Sequence, residues 1–244
     1  MKKAFVCILL LIFPMFYIRW LLNLLGCQIG KNVKIGFNFI YVDTLFLDDY
    51  VHIKSFNFIT VQTLTMKKKS YINYFNIIKG PIDIFMNEQS AIGKSNQISR
   101  GKKGVVYGKS VLTLGILTKL TANRFLDLTR SIYFGDYSTL AGVRSQMWTH
   151  GYVHADKGPE RFRVDGEINI GNNVYLGSNV FVNPGIDIAD KIHIGGNSSV
   201  SKNLLESGMY VSQGLRQIEL DYDNIKNKLN KVEDDYLIED IYEK

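Results

Sequence analysis

Cysteine is almost missing from this chain, with only Cys7 and Cys27 among 244 residues. Two thiols so placed cannot form a disulfide framework, so a small stapled fold is excluded and a reducing compartment is favoured. A long apolar run is missing too. A spanning helix needs about 20 apolar residues, but the stretch Ala4–Ile18 is broken by Pro14 and closed by Arg19. That stretch has the look of a signal-peptide core, yet no small-x-small cleavage site follows it. Residues 1–26 are therefore expected to form an uncleaved apolar helix that caps the fold and lies on or in a membrane interface. A plain packing helix and a true span or signal are the other readings. No G-x-G-x-x-G follows a first strand, which leaves out an N-terminal dinucleotide-binding domain. No helix-turn-helix, zinc-finger or RNA-binding signature is present, so nucleic acid is not an expected partner.

The charge is lopsided. The net of +6 conceals an acidic tail, because Glu219 to Lys244 holds nine acids and four bases, a net of −5. The remainder is then 6 − (−5) = +11. A basic body favours anionic partners such as a phosphorylated cofactor, an acidic glycan or a membrane surface.

What is abundant is a period of six. Ile29, Ile35, Tyr41, Leu47, Ile53 and Ile59 fall at that spacing, with Val33, Phe39, Leu45 and Val51 four residues after the first four. The register slips, then resumes at Ile72, Ile78 and Ile84, and again at Ile92 and Ile98. A third run holds Ile116, Ala122, Leu128, Phe134 and Leu140. The cleanest is the last: Ile170, Leu176, Val182, Ile188, Ile194 and Val200. A helix would repeat every 3.6 residues and a simple strand every two. Six fits short strands joined by corners, with one residue per hexad pointing to a shared axis. Glycines 30, 36, 93, 135, 171, 177 and 195 directly follow inward residues, where positive φ and close packing are expected. No hexad can bury its apolar face alone, so stacked coils must supply the core. Residues 60–111 fit the pattern poorly and leave room for a bulge or loop.

The pattern I-G-x-x-V-x over roughly residues 26–204 resembles the hexapeptide-repeat acyltransferase family. The resemblance implies an all-β solenoid, a left-handed parallel β-helix with three hexads per coil, here with an N-terminal apolar helix and a C-terminal helix. It also implies a homotrimer that uses acetyl-CoA as donor and needs no metal.

The period stops from 146 to 167, and this break holds two of the four histidines and one of the two tryptophans. Long excursions from compact repeats are usually functional. Histidine, with a reference pKa of about 6.5, suits removal of a hydroxyl proton near neutral pH. The stretch T-H-G-Y-V-H, with Ala141, Gly142, Ser145, Gln146, Trp148 and Thr149 before it, resembles sugar O-acetyltransferases associated with surface polysaccharides. In them the first histidine is the base, which carries over to His150. The same resemblance implies acceptor-binding roles for Asn123, Asp127, Trp148 and Tyr175, and His154 is expected to bind acceptor or to orient the loop. It places coenzyme A along Gly177, Ser178, Gly195, Gly196 and Lys202. For Asp127 a plain corner role or an ion pair with Arg130 is the competing reading. His52 and His193 read as structural residues at corners.

Beyond residue 212, Tyr222, Ile225, Leu229, Val232 and Tyr236 alternate spacings of three and four, as an amphipathic helix packed outside the coils would. Arg216, after Gly214 and Leu215, echoes an arginine of the family's tail. Three organisational units follow: residues 1–26, residues 27–212 with the loop 146–167, and residues 213–244. The expected activity is transfer of acetyl from acetyl-CoA to a sugar hydroxyl of a bacterial surface polysaccharide or its precursor, in the cytoplasm or on the inner face of the membrane. Alternatives are a sugar-nucleotide N-acetyltransferase, a non-catalytic β-helix scaffold, and a metalloenzyme of γ-carbonic-anhydrase type using His150, His154 and His193.

Overall fold

A computed structural model of the chain describes residues 2–212, 222–234, 237 and 240–244. Short parallel strands stack into three faces around one apolar axis. The first face carries Asp83–Met86, Val111–Leu114, Ile132–Phe134, Ile168–Ile170 and Asp187–Ile188 in succession. The second runs from Lys34–Ile35 to Ile192–Ile194 and Gly208–Tyr210. The third includes Ile77–Lys79, Gln97–Ser99, Phe125–Asp127, Gln146–Met147 and Phe181–Val182. Strands Phe39–Leu47 and Phe58–Met66 continue around the corner from the third face into the first and join those two faces as one sheet. The architecture is the parallel β-helix that the hexads predict.

The column Ile40, Ile59, Ile78, Ile98, Leu126, Met147 and Val182 is fully buried along the axis. Tyr41 is not in it. Ile40 and Val42 are buried, whereas Phe39 faces outward at 39% exposure and Tyr41 is half-buried. A polar ladder overrides the hexad count here. Buried Asn38 accepts from the backbone and side-chain nitrogens of Asn57 at 2.8 and 3.0 Å, 19 residues on. Asn57 serves Asn76 in the same way, and Asn76 serves Asn96. A buried amide must keep its partners, so the four asparagines hold one column and the apolar residues shift by one. In the third run the axis takes Leu114, Leu120 and Leu126, each fully buried, while Ile116 and Ala122 are half-buried.

The glycines after inward residues serve close approach and do not supply positive φ. A Cβ on Gly93 would lie 1.6 Å from the Thr121 carbonyl oxygen of the next coil, and one on Gly135 would lie 2.7 Å from the Gly171 backbone. Positive φ belongs to non-glycine residues three positions after the inward one, such as Asn32, Lys69, Asn173, Asn179 and Asn197. Asparagine tolerates that region better than most residues.

Two excursions leave the coil at one corner, between the third and first faces. Arg124 bonds Asn96 from 28 residues away, because residues 100–110 loop out between them. Asp136 bonds Asn172 across 36 residues, which contain the break at 146–167. That break is an antiparallel hairpin of His150–His154 with Arg161–Asp165.

The tail departs from expectation. Its described helix, α3, is confined to Tyr222–Asn227. Asn230–Lys231 and Ile241–Glu243 are strands, and the latter pairs parallel with Arg161–Asp165. The tail thus covers the hairpin's open edge, which would otherwise expose unpaired backbone groups. Phe162, Val164 and Tyr242 form a second small core beneath Tyr222, Ile225 and Leu229. Tyr236, Gly214, Leu215 and Arg216 lie outside the described residues.

The leader forms two helices, α1 (Lys2–Ile12) and α2 (Met15–Leu24), separated at Pro14. Proline cannot continue a helix without losing a backbone bond. Val6, Leu9, Leu10, Ile18 and Leu22 join the axial core and close its end. Neither helix is long and apolar enough to cross a membrane.

Candidate active site

Beside the start of the second excursion lies Asp127. It ends a strand of the third face and is 6% exposed. One coil on, Gln146–Met147 pairs with Phe125–Leu126, which brings Thr149 and His150 over the same corner. Thr149 donates to Asp127 Oδ2 from its backbone nitrogen at 3.1 Å and from its hydroxyl at 2.7 Å. Thr129 Oγ1 donates to Oδ1 at 3.0 Å. His150 Nδ1 lies 2.9 Å from Oδ2. A carboxylate only accepts, so Nδ1 carries the proton and Nε2 is left with a free lone pair. The imidazole is three-quarters buried, with 25% of its side chain exposed against 8% for Asp127.

Burial alone would lower the pKa of His150, but the bond to Asp127 and its charge outweigh that, and the pKa rises above 6.5. Burial would likewise raise Asp127, but His150, Thr149 and Thr129 together hold it below the usual carboxylate range. Asp165, on the hairpin, adds negative charge beside His150. It is fully buried and gripped by Arg163 at 2.8 and 3.1 Å. Arg163 also donates to the Val105 carbonyl at 2.7 Å, which ties the first excursion to the second.

The competing reading of Asp127 as a partner of Arg130 does not hold. Arg130 bonds Glu243 at 2.7 Å, approaches Glu167 at 3.4 Å and covers the Tyr107 ring. Buried Arg100 donates to the carbonyls of Pro81, Tyr107 and Gly108 and braces the 101–109 loop. Thr129, Asp165, Arg163 and Glu243 went unnoticed in the sequence. Only the odd concentration of charge near the repeat break could have flagged them.

Trp148 flanks His150 edge-on at 5.8 Å, and Tyr152 does so at 6.1 Å on the other side. Phe125 packs on Trp148 at 4.7 Å, and Arg161 lies over Tyr152 at 4.9 Å. His154 is exposed at the far end of the hairpin strand, opposite Arg161. Asn123 is elsewhere, exposed at the corner between the second and third faces with φ of 52°. Gly142, Ser178 and Gly196 stack at that same corner, with Gly177 buried just before it and Gly195 half-buried. Tyr175 stands outward on the second face, stacked on His193 at 5.7 Å. His193 and His52 lie within strands of that face, not at corners. His193 therefore does not share a face with His150. Lys202 lies beside Asn169, Asp187 and Lys244, by the corner of the excursions.

No protein-family model matches the chain, and neither does any curated protein. Solved structures resemble it at low identity. The polySia-specific acetyltransferase NeuO is 16% identical over 77% of this chain and 77% of its own, with a TM-score of 0.41. AntD, an N-acyltransferase from Bacillus cereus in complex with dTDP and 3-hydroxybutyryl-CoA, is 15% identical over 86% and 92%, with a TM-score of 0.34. The polysialic acid O-acetyltransferase OatWY is 14% identical over 81% and 95%, with a TM-score of 0.33. All three are acyltransferases.

Proposed function

We propose that the protein is an acetyl-CoA-dependent O-acetyltransferase acting on a sugar hydroxyl, with His150 as general base. The observation that carries this reading is the 2.9 Å bond from His150 Nδ1 to a buried carboxylate, which leaves Nε2 available at a solvent-accessible corner. Nε2 takes the proton of the acceptor hydroxyl as its oxygen attacks the thioester carbonyl. The tetrahedral intermediate collapses, the carbon–sulfur bond breaks, and the imidazolium returns its proton to the departing thiolate. Asp127 keeps the productive tautomer and stabilises the imidazolium. A backbone amide of the terminal coils would meet the oxyanion. Trp148 and Tyr152, on either side of the base, suit the apolar faces of a sugar ring.

Coenzyme A supplies the activated acetyl group. Gly142, Ser178 and Gly196 stack across three coils as a column with no side chain longer than serine's, which we read as a shallow trough. Such a trough fits a slender pantetheine arm. It lies at a different corner from His150, as does Asn123, and Tyr175 stands on the second face. A homotrimer, in which one subunit's trough meets its neighbour's histidine, reconciles the two. A phosphate role for Lys202 fits the same assembly. In this reading residues 27–212 are the transferase body, and the acceptor is a surface polysaccharide or its precursor at the inner face of a bacterial membrane.

The test is release of free thiol from acetyl-CoA in the presence of cell-envelope glycan. His150→Ala is expected to lose turnover by about a thousandfold while keeping the oligomer. Full activity in that variant would rule the reading out.

A further inference from the structure

The inward sides of α1 and α2 close the end of the prism, and their outward sides are strongly apolar. Ile12, Phe13, Phe16, Tyr17, Trp20 and Leu24 are exposed, Phe16 at 87% and Trp20 at 72%. Single exposed apolar residues are ordinary, but a contiguous patch marks a contact surface. The patch holds a tryptophan, a tyrosine and two phenylalanines, the side chains favoured at a membrane's polar–apolar boundary.

Charge selects the occupant. Residues 2–42 contain five basic side chains, Lys2, Lys3, Arg19, Lys31 and Lys34, and no acidic one. Asp43, the first acid, is paired with Lys3 at 2.8 Å. Lys31 and Lys34 are exposed on the first coil, next to the capped end. The Arg19 Nε donates to the Ile29 carbonyl at 3.1 Å, which fixes that cation at the junction of cap and coil. Asp48 and Asp49 begin the next coil, against Gly30 and Lys31, so the cap and first coil themselves present an apolar aromatic patch with basic side chains only, which complements an anionic lipid surface. Since neither helix can cross a bilayer, contact must be in the plane of the interface.

We infer that this helical cap docks the protein end-on onto an anionic lipid surface, with Phe16, Tyr17 and Trp20 inserted among the headgroups. The stack then sets a height. From Phe39–Leu47 to Phe125–Asp127 there are four strand-to-strand steps along the third face, each of about 4.8 Å. The Asp127–His150 corner therefore stands about 20 Å above the cap, facing water and not lipid. Docking leaves the site open to an acceptor that extends away from the surface. The inference does not depend on the proposed acetyl transfer.

Co-sedimentation of the full chain with vesicles tests it. Vesicles of phosphatidylcholine containing phosphatidylglycerol should bind the protein, and pure phosphatidylcholine should bind it roughly tenfold less. Phe16→Ser/Trp20→Ser should reduce binding to the anionic vesicles by roughly tenfold or more, with an unchanged circular dichroism spectrum. Lys31→Glu/Lys34→Glu, which leaves the apolar patch intact, should also weaken it, and added salt should act in the same direction. Absence of vesicle binding by the unaltered chain would overturn the inference. So would equal binding by the Phe16/Trp20 variant, or a change in its oligomeric state with no vesicle binding by either protein, which would assign the patch to a second copy.

Discussion

The Asp127–His150 pair makes opposite demands on pH. His150 has a folded pKa raised above 6.5, so its contribution to stability is complete at low pH and is lost as pH rises through the raised value. Asp127 has a depressed pKa, so its contribution is present above the ordinary carboxylate range and is lost as pH falls through the lowered value. In the proposed transfer the active form carries the neutral imidazole. The acid limb of kcat/KM should therefore have its midpoint above 6.5, with the two groups titrating as a coupled pair. Asp127→Asn removes the stabilising charge and should move that midpoint to lower pH. It should also reduce kcat by about a hundredfold or more, because the imidazole loses its fixed tautomer. A pH–rate profile of both proteins checks this, and an unmoved midpoint in Asp127→Asn would refute the coupling. What was legible in the sequence was the place of His150 in the repeat break and its resemblance to a family motif. Its pairing with Asp127 was not, since 23 residues separate them and only the coil stacking brings them together.

At the scale of elements, the asparagine column and the tail carry the sharpest expectations. Asn76 accepts from Asn96 and donates to the carbonyls of Asn73 and Gly93. Asn76→Leu strands the buried groups above and below it and should cost about 1–3 kcal/mol each, seen as a lower Tm. An unchanged Tm would show that the ladder does not hold the register. Hexad spacing located the coils but misassigned Tyr41 and Ile116; at Tyr41 apolar counting is blind to a buried polar ladder. The tail was misread for a related reason. Three-and-four spacing around Tyr222 and Ile225 resembles one long helix, yet Ile241 and Tyr242 find a better burial site on the open edge of the hairpin. Removing residues 241–244 exposes that edge and frees Arg130 from Glu243. Hydrogen exchange in the hairpin strands should quicken and turnover should fall by about tenfold or more, since a misplaced base is costly. The melting of the coils should scarcely change. Unaltered exchange at Arg161–Asp165 would contradict this role.

As a whole molecule, the chain separates its tasks along one axis. An apolar cap closes one end, the coils give a rigid rod, and at the corner from which both excursions leave the end of a coil strand brings Asp127 to His150. The rod was legible because its period is long and sustained. The hand of the coil was not, since an inward residue every sixth position suits either sense of winding. Nor was the separation visible: the sequence lines up His150, Tyr175 and Gly177 within a short span, whereas the prism puts His150 at the corner between the third and first faces and Tyr175, with Gly177 after it, on the second. Under the proposed homotrimer that separation makes the subunit contact part of the chemistry, so dissociated subunits should be inactive, which dilution with parallel light scattering can establish. The most direct measurement of the central claim is thiol release from acetyl-CoA with cell-envelope glycan, followed across pH for the unaltered protein and for His150→Ala. The account predicts turnover that rises through a midpoint above 6.5 and is all but abolished in the variant. Equal turnover in the two proteins, or a rate that does not change across that range, would contradict it.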